Sequence, residues 1–211
     1  MAEKTYIFII IALAIIFTGC ASLQQTEFQN GDILFQSLNS PQCEAIKIAT
    51  KSKYSHCGLI NIIDGQVYVL EGIQPVKLTP VVEWINRGID KHYVAKRIPD
   101  LNDRMKPEDM NRVVDVGAGY LGKNYDFYFG WSDSLIYCSE LVWKVYRDAW
   151  DIELCSLKKL GDFDLTHPVV RAKAEERYGD SLPLDEPVVA PADLFNSELL
   201  VELKNIKLPQ D

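Results

Sequence analysis

The stretch "KYSHCGLINIIDGQVYVLEG", residues 53–72, decides the fold, because the turn at its centre fixes which side chains share a face. Asp64-Gly65 is a strong short-range signal for a two-residue type I′ turn, whose central residues both take positive φ. Its flanks are rich in Ile, Val and Tyr, as strands are. With Asp64 and Gly65 as the loop, Ile63 pairs with Gln66, and stepping outward puts Gly58 opposite Glu71. Directly opposed residues share a face, and His56, two residues from Gly58, shares it too. His56 and Glu71 are then diagonal neighbours, about 7–8 Å apart at the backbone, a gap that two long side chains close. Gly58 puts no side chain between them. Cys57 points the other way with Leu59 and Leu70 and reads as a small buried hydrophobe. A carboxylate beside an imidazole fixes its tautomer and stabilises the imidazolium. An isolated pair of this kind is more often a hydrogen-bonded histidine at a sheet end, so the reading turns on a nucleophile elsewhere.

The chain has 211 residues, 47% of them hydrophobic, and a net charge of −8. That suits one domain with a sizeable core. The acidic balance and the lack of a Lys/Arg cluster argue against a nucleic-acid partner. Tyr6–Phe17 is an unbroken apolar run, too short for a bilayer span but suited to the core of a secretory signal. It ends in "FTGC", which resembles the lipobox of bacterial lipoproteins with Phe17 where Leu is usual. The resemblance implies a signal peptide over residues 1–20 and lipidation of Cys20. Ala21 leans towards the outer membrane, with the protein facing the periplasm; an ordinary signal peptide or an uncleaved anchor is the alternative. Residues 21–30 are polar and aperiodic and read as a tether of at most roughly 30 Å. The remaining residues, 31–211, form the domain.

Further along, "GDILFQ" reads as a strand, and Ser40-Pro41 starts a short helix. A strand is expected near 73–78, a helical turn from Thr79-Pro80 through Trp84, and a strand in "KHYVAKRI". Pro107 opens a helix that ends among Gly117, Gly119 and Gly122. Those glycines spell G-x-G-x-x-G, but a dinucleotide site needs a strand before them and a helix after. Close packing and a glycine cap explain them better. No C-x-x-C or H-x-x-x-H spacing supports a metal, and no cofactor is implied. Cys43, Cys57, Cys138 and Cys155 read mostly as buried thiols. An aromatic loop, "KNYDFYFGWSDSLIY", leads into "CSELVWKVYRDAW", whose Leu141, Val142, Val145, Tyr146 and Ala149 form one helical stripe. Cys138 therefore stands at a helix N-terminus. There the macrodipole favours thiolate, and an unpaired backbone N–H can face an oxyanion. Cys43 is the rival, also in a first turn, but without a comparable loop downstream.

Together "GDILF", "YSHCGL", "VLEG", "YDF" and "YCSELV" resemble the circularly permuted papain-like hydrolases of the NlpC/P60 superfamily, the YiiX/YebB-like group. The similarity covers most of residues 30–197. It implies an α+β papain-like fold, with an antiparallel sheet or partial barrel packed against the helix bearing the cysteine. It further implies a triad of Cys138, His56 and Glu71, with Tyr125 near the oxyanion. The activity implied is cleavage of an amide or ester bond in a cell-wall peptide or a lipid-like acyl substrate. Tyr137 replaces the Asp that precedes the cysteine in many unpermuted members, so their peptidoglycan specificity does not transfer directly. Two other readings are a non-catalytic peptide- or acyl-binding lipoprotein, using a cleft of Phe127, Phe129 and Trp131, and a structural envelope lipoprotein.

Overall fold

The computed structural model describes residues 25–99, 101 and 105–209. The expected signal segment, Cys20 and the first residues of the tether lie outside the described residues. Among those described, no helix is long and apolar enough to cross a membrane.

The hairpin forms as its turn requires. Strands β2 (His56–Ile63) and β3 (Gln66–Glu71) pair antiparallel, with Ile63 opposite Gln66 and Gly58 opposite Glu71. Asp64 and Gly65 have φ of 50° and 77°, the left-handed values that a type I′ turn demands. Outward from this hairpin, β1 (Ile33–Gln36) joins β2, and β4 (Lys77–Pro80) joins β3. Strands β5 (Tyr93–Arg97) and β10 (Val201–Glu202) complete an antiparallel sheet of order β10-β5-β1-β2-β3-β4.

Alternation splits the sheet into two apolar faces. One carries Ile33, Phe35, Cys57, Leu59 and Leu70, and it packs on helix α4 (Cys138–Trp150) through Leu141, Val142, Val145 and Tyr146. Helix α3 (Pro107–Ala118) lies beside α4 and contributes Val113 to the same core. The opposite face carries Leu34, Ile60, Val69 and Ala95. It is covered by helix α2 (Val81–Arg87) through Val81, Trp84 and Ile85. Both faces are buried, which is why β2 reads as a nearly continuous apolar run rather than a strict alternation.

Helix α1 (Pro41–Thr50) is capped by Ser40, whose hydroxyl accepts from the Cys43 amide. It packs on α5 (Pro168–Tyr178), where His167 is the N-cap and its Nδ1 accepts from the Val169 amide. The short helix α6 (Pro191–Phe195) and the small pairs β6 (Asn124–Tyr125) with β7 (Leu135–Ile136) and β8 (Lys158–Lys159) with β9 (Pro187–Val188) close the remaining sides.

Several expectations change. The strand expected at 73–78 begins only at Lys77, because the chain bends at residues 73–75 before it pairs with β3. Packing starts before residue 31: Phe28 is buried, and the Asn30 side chain accepts from the Ile62 amide. The tether reading therefore does not extend through residues 26–30. The glycine motif is a packing device, since a Cβ on Gly117 would sit 2.6 Å from Leu70 Cδ2. The aromatic residues divide: Phe127 is half exposed, Trp131 packs edge-on against Trp143, and only Phe129 lines the cavity described below.

Candidate active site

Cys138 is the first residue of α4, and its backbone N–H has no acceptor within the helix. The apolar stripe of α4 presses this end against the sheet where β2 begins and β3 ends. Gly72, just past β3, makes the approach possible: a Cβ there would lie 2.8 Å from both the nitrogen and the Cα of Cys138. Those are backbone atoms of a packed helix and cannot yield cheaply. Gly72→Ala is therefore expected to push the helix start off the sheet and cut turnover by at least about tenfold, a loss typical of sub-ångström misplacement. Near-normal circular dichroism with lost activity would support this; wild-type kinetics would refute it.

His56, the first residue of β2, is 4% exposed and Glu71, the last of β3, is fully buried. His56 Nε2 lies 2.7 Å from Glu71 Oε2. Cys138 lies near enough to His56 for each to shift the other's pKa, so the three side chains stand in the order Cys–His–Glu. Trp84 stacks against His56 at 5.9 Å between ring centroids, holding the ring plane.

Glu71 accepts from more than His56. The Thr79 hydroxyl donates to Oε1 at 2.6 Å, and Arg87 Nη2 donates to Oε1 and Oε2 at 2.6 and 2.7 Å. Burial alone would raise the carboxyl pKa, but His56 first, and then Thr79 and Arg87, pull it down to about 2. For His56, burial opposes the charge, and the hydrogen bonds to Cys138 and Glu71 overcome it, raising the pKa to about 10. Cys138 is held well below the ordinary thiol range, first by a hydrogen bond from the Cys57 thiol and then, against its burial, by His56 and the Cys57 backbone N–H. Cys57 is buried on the core face with Leu59 and Leu70, as the sequence places it, and α4 begins on that face, so its thiol also lies against Cys138. Burial and that contact push Cys57 itself well above the usual thiol range. Thiolate–imidazolium is the charge state these contacts favour.

Cys43, the rival, is buried at the third position of α1, and Cys155 is half-buried with its pKa raised by burial to about 12. Neither has a histidine beside it. His92 stacks on Tyr54 at 6.2 Å, away from the three.

A cavity opens beside Cys138 between α1 and α5. Its walls are mostly carbon: Ala45, Ile46, Phe163, Leu165, Val170 and Val189 among others. Tyr125 stands at the cysteine end, and its hydroxyl accepts from Gln42 Nε2 at 3.1 Å. That bond occupies a lone pair and leaves the O–H free to donate. Sequence reasoning missed Thr79, Arg87, Gln42 and Gly72. Thr79 could have been found from the β3–β4 register, in which it faces Val69 and so shares a face with Glu71; the turn at Pro75 hid that register.

Residues 27–203 match the family described as "Permuted papain-like amidase enzyme, YaeF/YiiX, C92 family". A protein of Escherichia coli strain K12 named "Uncharacterized protein YiiX" is 43% identical over 172 residues, 82% of this chain and 84% of that protein. A solved structure titled as that of metalloprotein yiiX from Escherichia coli O157:H7 superposes with a TM-score of 0.79 at 41% identity. It covers 86% of this chain and 98% of the other. The antiparallel sheet packed against helices agrees with these matches: the chain belongs to the permuted papain-like amidases of the YaeF/YiiX family and is a cysteine hydrolase.

Proposed function

We propose that the protein is a membrane-anchored thiol hydrolase that cleaves an amide or ester bond through Cys138, His56 and Glu71. The observation that carries this is the 2.7 Å His56–Glu71 hydrogen bond beside Cys138 at the start of α4. Cys138 Sγ attacks the carbonyl carbon. The oxygen becomes an oxyanion facing the Cys138 backbone N–H and the Tyr125 hydroxyl. His56 passes its proton to the departing amine or alcohol, and the C–N or C–O bond breaks to leave a thioester. Water then gives a proton to His56 and its oxygen to the acyl carbon. The acid departs, and the thiolate–imidazolium pair is restored. Glu71 holds the ring and its charge throughout.

Between a cell-wall peptide and a lipid-like acyl substrate, the cavity favours the second. Its carbon-rich walls solvate a hydrocarbon chain and leave most peptide N–H and C=O groups without partners. The anchor in this reading is a lipidated Cys20 in the outer membrane, with the domain facing the periplasm. The related structure is titled a metalloprotein. The residues here do not fit a resident metal: among those described no group of three His, Cys, Asp or Glu could hold one. Both Glu71 oxygens also carry an arginine, which a cation would have to displace.

Two measurements test the parts separately. Wild type and Cys138→Ala, screened on muropeptides, N-acyl amino acids and lipid esters, should differ by complete loss of turnover on at least one acyl substrate. Equal residual rates would end the hydrolase mechanism. Cys20→Ala should leave the membrane fraction or accumulate as precursor; unchanged fractionation and processing would remove the anchor.

A further inference from the structure

The acyl-sized cavity is not wholly neutral. Arg177, on α5, forms part of its wall, with its guanidinium 4.5 Å over the Phe129 ring. Nη2 donates to Gln42 Oε1 at 3.0 Å, and the same Gln42 donates through its nitrogen to Tyr125. The partners of Arg177 are thus neutral groups. Among the described residues no carboxylate stands within ion-pair distance of it, and the nearby Glu176 is taken by Lys173 at 2.6 Å. Two other arginines are matched to carboxylates. Arg87 is matched to Glu71 and Arg97 to Asp32, each with two short N–O contacts. A half-buried guanidinium against an aromatic ring, linked to Tyr125 by two hydrogen bonds through Gln42, has donors left for an anion.

We infer that the substrate is an anionic acyl amphiphile, its chain between α1 and α5 and its carboxylate or phosphate on Arg177. The inference rests on the hydrolase reading for the word substrate, but the binding it describes does not require turnover. Arg177 supplies planar, paired N–H groups that suit either anion. The alkyl chain gains from leaving water against Ala45, Ile46 and Val170. Because Gln42 links Arg177 to Tyr125, an anion seated there also lies close to the thiol end of the cavity. Lys173, one turn earlier on the same helix, also lines the wall, but its charge is matched by Glu176, so Arg177 is the cation assigned to the anion.

The test is protection of Cys138 from iodoacetamide in the full chain, held in neutral phosphatidylcholine vesicles at pH about 7.5, where carboxylates and phosphates are ionised. Competitors are decanoate, decyl phosphate and the neutral 1-decanol, none of which has a bond to cleave. Both anions should half-protect Cys138 at concentrations about tenfold or more below decanol, the scale of a hydrogen bond to a charged group. Protection by one anion alone identifies which headgroup fits. Arg177→Gln should erase the difference while decanol still protects, which shows that the cavity is intact. Arg177→Lys should restore part of it, since the charge returns without the planar fork. Equal protection by decanol and both anions in wild type, or an anion preference that survives Arg177→Gln, would overturn the assignment. So would a cavity in which none of the three protects. Failure of the hydrolase reading looks different: turnover is absent, whatever the order of the competitors.

Discussion

Replacing His56 with Ala is expected to lower turnover about 10⁴–10⁶-fold on any substrate the wild type cleaves, the scale seen when a triad member is removed. The geometry gives it two tasks, as partner of the thiolate and as proton donor to the leaving group. The first is measurable without a substrate. Thiolate is the form that alkylates, and an ordinary cysteine has a pKa of about 8.5. Cys138 is held lower by the Cys57 thiol, by His56 and by the Cys57 amide. His56→Ala removes the middle contribution and leaves the others, so iodoacetamide labelling near pH 6 should slow at Cys138 without falling to the level of a buried thiol. Cys57 and Cys155, both raised by burial, should lag in wild type and mutant alike. Peptide mapping across pH resolves the four sites. If Cys138 labels identically with and without His56, the pair is structural.

Glu71→Gln should be nearly as damaging, with a loss of about 10²–10⁴-fold, by analogy with the amide replacement of a triad carboxylate. From the sequence, an amide is expected to orient the ring and cost only its charge. The structure makes the substitution harsher. Both carboxylate oxygens are acceptors, and Arg87 spans them, with Thr79 on one and His56 on the other. An amide has a single acceptor oxygen, so its NH₂ must face either Arg87 with Thr79 or Arg87 with His56. Donor then meets donor in a buried site. Losing the negative charge also lowers the pKa of His56, so the alkaline limb of kcat/KM should move to lower pH.

The same variant changes the pH dependence of stability. The raised pKa of His56 contributes stability that is full below 6.5 and lost as pH climbs towards about 10. The lowered pKa of Glu71 contributes stability present above 4.5 and lost as pH falls towards about 2. Melting of wild type should therefore fall off at both ends, and Glu71→Gln should flatten both. Parallel melting curves across pH, together with unchanged turnover, would remove Glu71 from the catalytic chain.

Much of this was legible in the chain because it is local. A two-residue turn leaves the hairpin one register, so Asp64-Gly65 put Gly58 opposite Glu71 and His56 on their face before any tertiary contact was known. The apolar stripe from Leu141 to Ala149 located the helix, and its start located Cys138. Chain order of histidine before cysteine cost nothing, since geometry and not sequence order makes a triad. What the sequence could not decide was which surfaces meet. Cys57 faces the core, and periodicity says only that; its meeting with Cys138 depends on where α4 docks, which Gly72 permits. Arg87 and Thr79 reach Glu71 because β4 runs back along β3 and α2 then folds over the face. Arg177 is an ordinary helix residue by pattern, and only the packing of α5 on α1 sets it beside Gln42 in the cavity wall. Local rules fix the direction of each side chain within its own element. Its partner is set by the docking of elements distant in sequence, which depends on burying both faces of the sheet at once.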